Sequence, residues 1–151
     1  MAYPASGQMA DRYLKEQVET ASPEQLMLML YDGAIKFMRV ARKALVDQEW
    51  EKAHNNLIRA QNILTELMIS LNLDIGGEVA RNLYRLYDYY IWALVQANIH
   101  RNIAQVDEVL NHVKNLKQTW EQAIVLASQE KTPHATTTDR IERSPGPVMS
   151  A

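Results

Sequence analysis

The sequence predicts an all-α protein: an antiparallel up-down four-helix bundle with a short N-terminal arm and a disordered C-terminal tail. Three observations carry this. From Glu24 to Thr132 there is no proline, and glycine stands at only two places, Gly33 and the Gly76-Gly77 pair. A many-stranded sheet would need a turn about every 8 to 12 residues. Four segments place apolar residues in unbroken steps of three and four, and the links between them are too short for anything but antiparallel neighbours.

Composition limits what such a fold does. The chain has 151 residues, 47% of them hydrophobic, no cysteine and a formal net charge of −2, which suits one domain with a modest core. Without cysteine there is no disulfide framework and no thiolate metal site, as in a reducing compartment. Near-neutral charge argues against nucleic-acid binding, which needs a basic stripe. No apolar run approaches the roughly 18 residues of a membrane-spanning helix, and MAYPASGQMADRYLKEQ lacks a signal peptide's hydrophobic block. A cytosolic protein that does not insert stably into membranes is expected.

Residues 1–21 read as a polar arm in which Tyr13, Leu14 and Val18 permit a short amphipathic turn, too short to be stable alone. Ser22-Pro23-Glu24-Gln25 then starts a helix: a serine cap, proline at the first helical position, an acid in the first turn and glutamine placed to complete a capping box. The first stripe runs Met27, Leu30, Ala34, Phe37, Ala41, Ala44. The second, with Asp47 as its cap, runs Trp50, Ala53, Leu57, Ala60, Leu64, Leu67, Leu71. The third, after a link at 73–77, runs Ala80, Leu83, Tyr87, Tyr90, Leu94, Ala97. The fourth, with Asn102 and Gln105 as cap and box partner, runs Val106, Val109, Val113, Leu116, Trp120, Ala123, Ala127. Helices of this length span about 35 Å, and the bundle is expected to occupy residues 22–128. Residues 129–151 are rich in Thr, Ser, Pro and charge and bury too little surface to offset their ordering entropy, so a disordered tail is expected.

Catalytic chemistry finds little to work with. Glu51 and His54 form one Glu-x-x-His pair, whereas a di-metal bundle needs two pairs and two further inward carboxylates, and no stripe position is acidic. No metal and no cofactor are expected. A helical phosphotransfer domain using His54, between Lys52 and Arg59, is the alternative function, although the local sequence lacks the glycine that would let a partner approach closely. No nucleophile, base and orienter set can be assembled, so an enzyme is not expected.

The stripes leave a lopsided apolar surplus. The first helix carries Leu28, Tyr31, Ile35 and Met38 as a second stripe, of which Tyr31 and Met38 can also widen the core while Leu28 and Ile35 point further out. The third adds Tyr84, Tyr89, Trp92 and Val95. Such a surface suits a module that accepts helical segments of another chain in apolar grooves, and it can equally seal a homodimer. Gly33 in mid-helix costs about 1 kcal/mol relative to alanine, which a close approach by a neighbouring backbone would compensate.

Ala21-Ser22-Pro23-Glu24-Gln25-Leu26, Leu30-Tyr31-Asp32-Gly33-Ala34, Ala60-Gln61-Asn62-Ile63 with Glu66-Leu67, Gly76-Gly77-Glu78-Val79-Ala80, and Asn82-Leu83 to Leu86-Tyr87-Asp88-Tyr89 occur in order and at consistent spacing, with Trp120 beyond them. Over about residues 10–125 this set closely resembles the flagellar secretion chaperone family, FliS. The resemblance implies a cytoplasmic, non-catalytic helical chaperone that binds the disordered C-terminal segment of flagellin, prevents premature polymerisation and delivers it to a component of the flagellar type III export gate. It further implies that the client lies as short helices in apolar grooves, and that the N-terminal arm covers part of the site when empty. The residues expected to contact the client are Tyr13 and Leu14 on the arm, Leu28, Tyr31, Ile35 and Met38 on the first helix, and Tyr84, Tyr87 and Asp88 on the third.

Overall fold

The computed structural model describes residues 3–143, with side chains from residue 8 to residue 130. Five helices follow in order: α1 (Tyr3–Thr20), α2 (Pro23–Val46), α3 (Trp50–Ile69), α4 (Leu73–His100) and α5 (Ile103–Arg143). No strand occurs among the described residues. The chain divides into two compact units, Met1–Leu116 and Lys117–Ala151, with the boundary inside α5.

The arm is a full helix rather than a single amphipathic turn. Local contacts hold α1: Gln17 Nε2 donates to the Tyr13 hydroxyl at 3.3 Å, Thr20 Oγ1 donates to the Glu16 carbonyl at 2.8 Å, and Lys15 lies 4.0 Å from Glu19. Its described side chains, from Gln8 to Thr20, are all exposed. The predicted start of α2 is present in both halves of the capping box: Ser22 Oγ accepts from the Gln25 N–H at 3.2 Å, and Gln25 Oε1 accepts from the Ser22 N–H at 3.1 Å.

Asp47 does not begin the next helix. It closes α2, donating its N–H to the Lys43 carbonyl and pairing its carboxylate with the Lys43 ammonium at 3.0 Å. Gln48 then takes a left-handed φ of 59°, and α3 starts after Glu49 with no side-chain cap. Before α4, Asn72 Oδ1 accepts from the N–H groups of Asp74 and Ile75, so helix begins at Leu73, inside the expected link. Gly77 breaks it at φ 59°, ψ −135°, a region essentially confined to glycine. Asn102 caps α5 by accepting from the Gln105 N–H at 3.2 Å, as its spacing predicts.

Within the first unit, the expected stripe of α4 is buried at all six positions, joined by Ala93, and α3 buries Ala53, Leu57, Ala60, Leu64 and Leu67. The α2 stripe is rotated. Tyr31, Ala34, Ile35, Met38, Ala41, Ala44 and Leu45 are buried, whereas Met27, Leu30 and Phe37 are only half-buried. With two apolar stripes side by side, the centre of the combined face points inward, and the larger side chains of the supposed surplus occupy it. Gly33 faces a side chain, not a backbone: a Cβ there would lie 3.0 Å from Ile63 Cδ1. Four residues on, the Arg59 guanidinium lies 5.7 Å from the centre of the Phe37 ring. Numbers rising along α2 meet numbers falling along α3, so these two helices run in opposite directions.

On α5 the buried stripe comprises Val106, Val109, Leu110 and Val113. Leu116 and Trp120 are half-buried, and Ala123 and Ala127, expected inside, are exposed. The tail expected to be disordered from residue 129 has helical backbone as far as Arg143. Composition argues against burial, but a helix already nucleated propagates without it. Residues 144–151, the rest of that tail, lie outside the described residues.

The Gly77 conformation gives a stability test. Gly77→Ala is expected to lower the unfolding free energy by about 1–3 kcal/mol, because no space limits the added methyl but its backbone would be strained. Urea unfolding followed by circular dichroism measures the difference.

Candidate binding surface

The residues expected to meet a client fall into two groups. Tyr31, Ile35, Met38 and Tyr87 are buried, so the outward direction expected for Ile35 is corrected. Tyr13, Leu14, Tyr84 and Asp88 are exposed, with Tyr13 and Leu14 at 63% and 54%. The arm therefore does not use these two side chains to cover a groove in this conformation. Leu28 lies between the groups. It is half-buried and lines a cleft of about 500 Å³ with Gln17, Thr20, Ala21, Gln25, Met29 and Asp32, where α1 joins α2.

The buried group is organised by a hydroxyl pair. Tyr31 of α2 and Tyr87 of α4 share a short hydrogen bond in the interior, their rings tilted at 55° with centroids 6.4 Å apart. Both belong to Leu-Tyr-Asp triplets, Leu30-Tyr31-Asp32 and Leu86-Tyr87-Asp88. In each triplet the tyrosine turns inward and the aspartate outward. Tyr90, one helical turn along α4, sits with its hydroxyl 3.3 Å from His112 Nδ1 and its ring edge-on to that imidazole. Burial, then the neighbouring Tyr31, push the Tyr90 phenol up to about 12.

Across the outer side of α4, Tyr89 donates to Glu108 Oε1 at 2.6 Å and contacts the Trp92 ring. The hydrogen bond to Glu108 holds the Tyr89 phenol above its usual value. Tyr84, Tyr89 and Trp92 are exposed at 41%, 40% and 54%, as expected for the surplus on this helix. Sequence reasoning missed Ile69, Leu73, Ile75 and Val79, all exposed around the α3–α4 corner, with Ile75 at 85%. Their signal was available: each lies off its helix stripe, beside the Gly76-Gly77 break.

His54 is exposed and engaged with Asn98 of α4, Nδ1 to Nδ2 at 2.8 Å. Glu51 is exposed as well. Among the described residues no group of three or more His, Asp or Glu side chains is gathered to hold a metal. No described helix is long and apolar enough to cross a membrane.

Among the described residues the chain is a helical framework that leaves large apolar side chains of α1 and α4 exposed. A family model described as flagellar protein FliS matches residues 5–127. The flagellar secretion chaperone FliS of Bacillus subtilis is 40% identical over 122 residues, covering 81% of this chain and 89% of that protein. Its counterpart in Salmonella typhimurium is 35% identical over 133 residues, covering 86% and 98%. A crystal structure of a flagellar chaperone from bacteria superposes with a TM-score of 0.64 at 21% identity, over 79% of this chain and 97% of that one, a likeness of fold. The chain belongs to the FliS family of flagellar secretion chaperones, which are not enzymes.

Two measurements follow from the buried tyrosines. Tyr31→Phe and Tyr87→Phe are each expected to cost about 1–2 kcal/mol, and the double variant at least about 0.5 kcal/mol less than their sum, because the hydroxyls partner each other; a double-mutant cycle by denaturant unfolding reads this. Raising pH gives the second. Tyr90 ionises near 10 when unfolded but near 12 when folded, so above pH 10 the unfolded state loses its proton first and stability falls as pH rises towards 12. Tyr90→Phe should flatten that limb of the curve.

Proposed function

We propose that this chain is a cytoplasmic chaperone of flagellar type III export that binds the disordered C-terminal segment of its organism's flagellin, prevents premature polymerisation and delivers the client to a component of the export gate. In this reading α2 to α5 form an antiparallel four-helix bundle and α1 is the arm. One observation supports it most: large apolar side chains stay exposed on α1 and α4 while an unfilled cleft lies beside Leu28. A folded chain that keeps such surface in water has a partner to cover it.

The binding is stoichiometric. Client anchors bury apolar surface at about 25 cal/mol per Å², and the client's ordering cost offsets part of the gain, so a long wrapped segment is needed for tight binding. Leu28, Tyr84 and Asp88 are assigned to contact the client. Tyr31, Ile35, Met38 and Tyr87 act from the interior, setting where α2 and α4 present their outer faces. Tyr13 and Leu14 compete for a groove when α1 swings in. Without client the same apolar residues can seal a homodimer.

Calorimetry with the organism's flagellin C-terminal segment tests this directly: a folded chain that gives no binding heat and no retention of the segment removes the proposal. Leu28→Ser should weaken binding about tenfold or more with little change in melting temperature. Ile35→Ser should instead destabilise the fold by about 2–5 kcal/mol, as a buried side chain does. Removal of residues 1–18 should leave client affinity equal or higher, whereas a large loss would make the arm part of the binding surface.

A further inference from the structure

The α3–α4 corner holds aliphatic side chains out in water, and its backbone is built to keep them there. Ile69, Ile75 and Val79 are 70%, 85% and 66% exposed, and Leu73 is exposed beside them. Asn72 fixes the turn that follows it by accepting from the N–H groups of Asp74 and Ile75. Gly77 then breaks the helix, so this turn does not continue the line of α4. Gly76 lets it lie close against α4, since a Cβ there would stand 2.5 Å from the Ala80 Cβ. Two adjacent glycines cost helix stability, and the aliphatic side chains they hold outside return none of it to the core. Local choices that work against the fold in this way collect at sites that serve a partner.

The surroundings of this patch are acidic. From Ala60 to Ala80 the chain has no lysine, arginine or histidine, but it has three carboxylates, Glu66, Asp74 and Glu78. All three are exposed, and none is in an ion pair with a described residue. The last turn of α3 also lacks a basic residue, so no cation offsets the negative end of that helix at the same corner. A second copy docked symmetrically on this patch would set the carboxylates against one another. A segment that carries lysine or arginine beside aliphatic side chains matches both the apolar and the charged part.

We propose that the α3–α4 corner is a docking surface for a basic, aliphatic segment of a protein other than the client. Its apolar side chains cover Ile69, Leu73, Ile75 and Val79, and its cations meet Glu66, Asp74 and Glu78. The patch caps the ends of two helices and does not run along them, so it is occupied independently of the client. The cations speed the encounter and set its orientation, while the aliphatic contact holds it.

The test uses a synthetic helical peptide with leucine on one face and lysine on its flanks, and a companion with glutamate in place of lysine. Each is titrated into the full chain, free and saturated with the flagellin C-terminal segment, and into two variants, Ile75→Ser and the triple Glu66→Gln, Asp74→Asn, Glu78→Gln. These side chains are exposed, so melting temperatures should stay close to the parent's. The lysine peptide is expected to bind free and saturated chain alike, and Ile75→Ser to weaken it about tenfold, as loss of one buried aliphatic contact does. The triple variant should weaken it at low salt only, because high salt screens the charges in the parent as well. The glutamate peptide should not bind. No binding of the lysine peptide, binding that neither variant weakens, or equal binding of the glutamate peptide overturns the assignment. So does displacement by the flagellin segment, or a homodimer in sedimentation that Ile75→Ser dissociates, which would make the client or a second copy the occupant. The client reading is decided separately, by whether the flagellin segment itself binds.

Discussion

The hydrogen bond between the Tyr31 and Tyr87 hydroxyls ties α2 to α4 across the interior. Two phenols in an apolar interior are tolerated because each satisfies the other, and that requirement fixes the rotation of α2 against α4 more tightly than methyl groups would. With both tyrosines pointing inward, Asp32 and Asp88, each one residue on and about 100° round its helix, lie outside. Tyr90 extends the same polar seam towards His112, so the interior carries a short chain of phenols instead of a purely aliphatic layer.

The architecture was legible in the sequence where the heptad stripe is the buried one. The α4 stripe was read without error, as was most of α3, and on α4 the large apolar side chains off the stripe, Tyr84, Tyr89 and Trp92, stay exposed. On α2 two stripes lie side by side, and periodicity alone cannot say which is central. The heptad frame chose Met27, Leu30 and Phe37; the tyrosine pair and Gly33 decide otherwise, by pulling Tyr31 inward and drawing α3 against the other flank. Capping residues were readable when their side chain bonds locally, as Ser22 and Asn102 do, and misread at Asp47, whose carboxylate serves the preceding helix through Lys43.

The exposed surface was legible only in part. Of the apolar surplus read on the helices now labelled α2 and α4, the α4 members Tyr84, Tyr89 and Trp92 are exposed, whereas three of the four α2 members are buried. The exposed corner of Ile69, Leu73, Ile75 and Val79 was passed over, since a Gly-Gly link reads as a turn and the helix that begins before it, held by Asn72, does not announce itself. The contact between α2 and α3 was invisible for another reason: Phe37 and Arg59, like Gly33 and Ile63, are distant in sequence and meet only when the two helices pack side by side.

The capping box at Ser22 carries a consequence for how the chain can be divided. Because Ser22 and Gln25 satisfy the first N–H groups of α2 between themselves, α2 needs nothing from α1 to terminate cleanly. The arm and the core are therefore thermodynamically separate compartments joined by Ala21, and α1 can fray, be clipped or carry a fused protein while the core keeps its melting transition. The joint insulates: whatever ordering the arm undergoes is charged to the arm's own free energy, and reaches the core only through a shared occupant of the cleft.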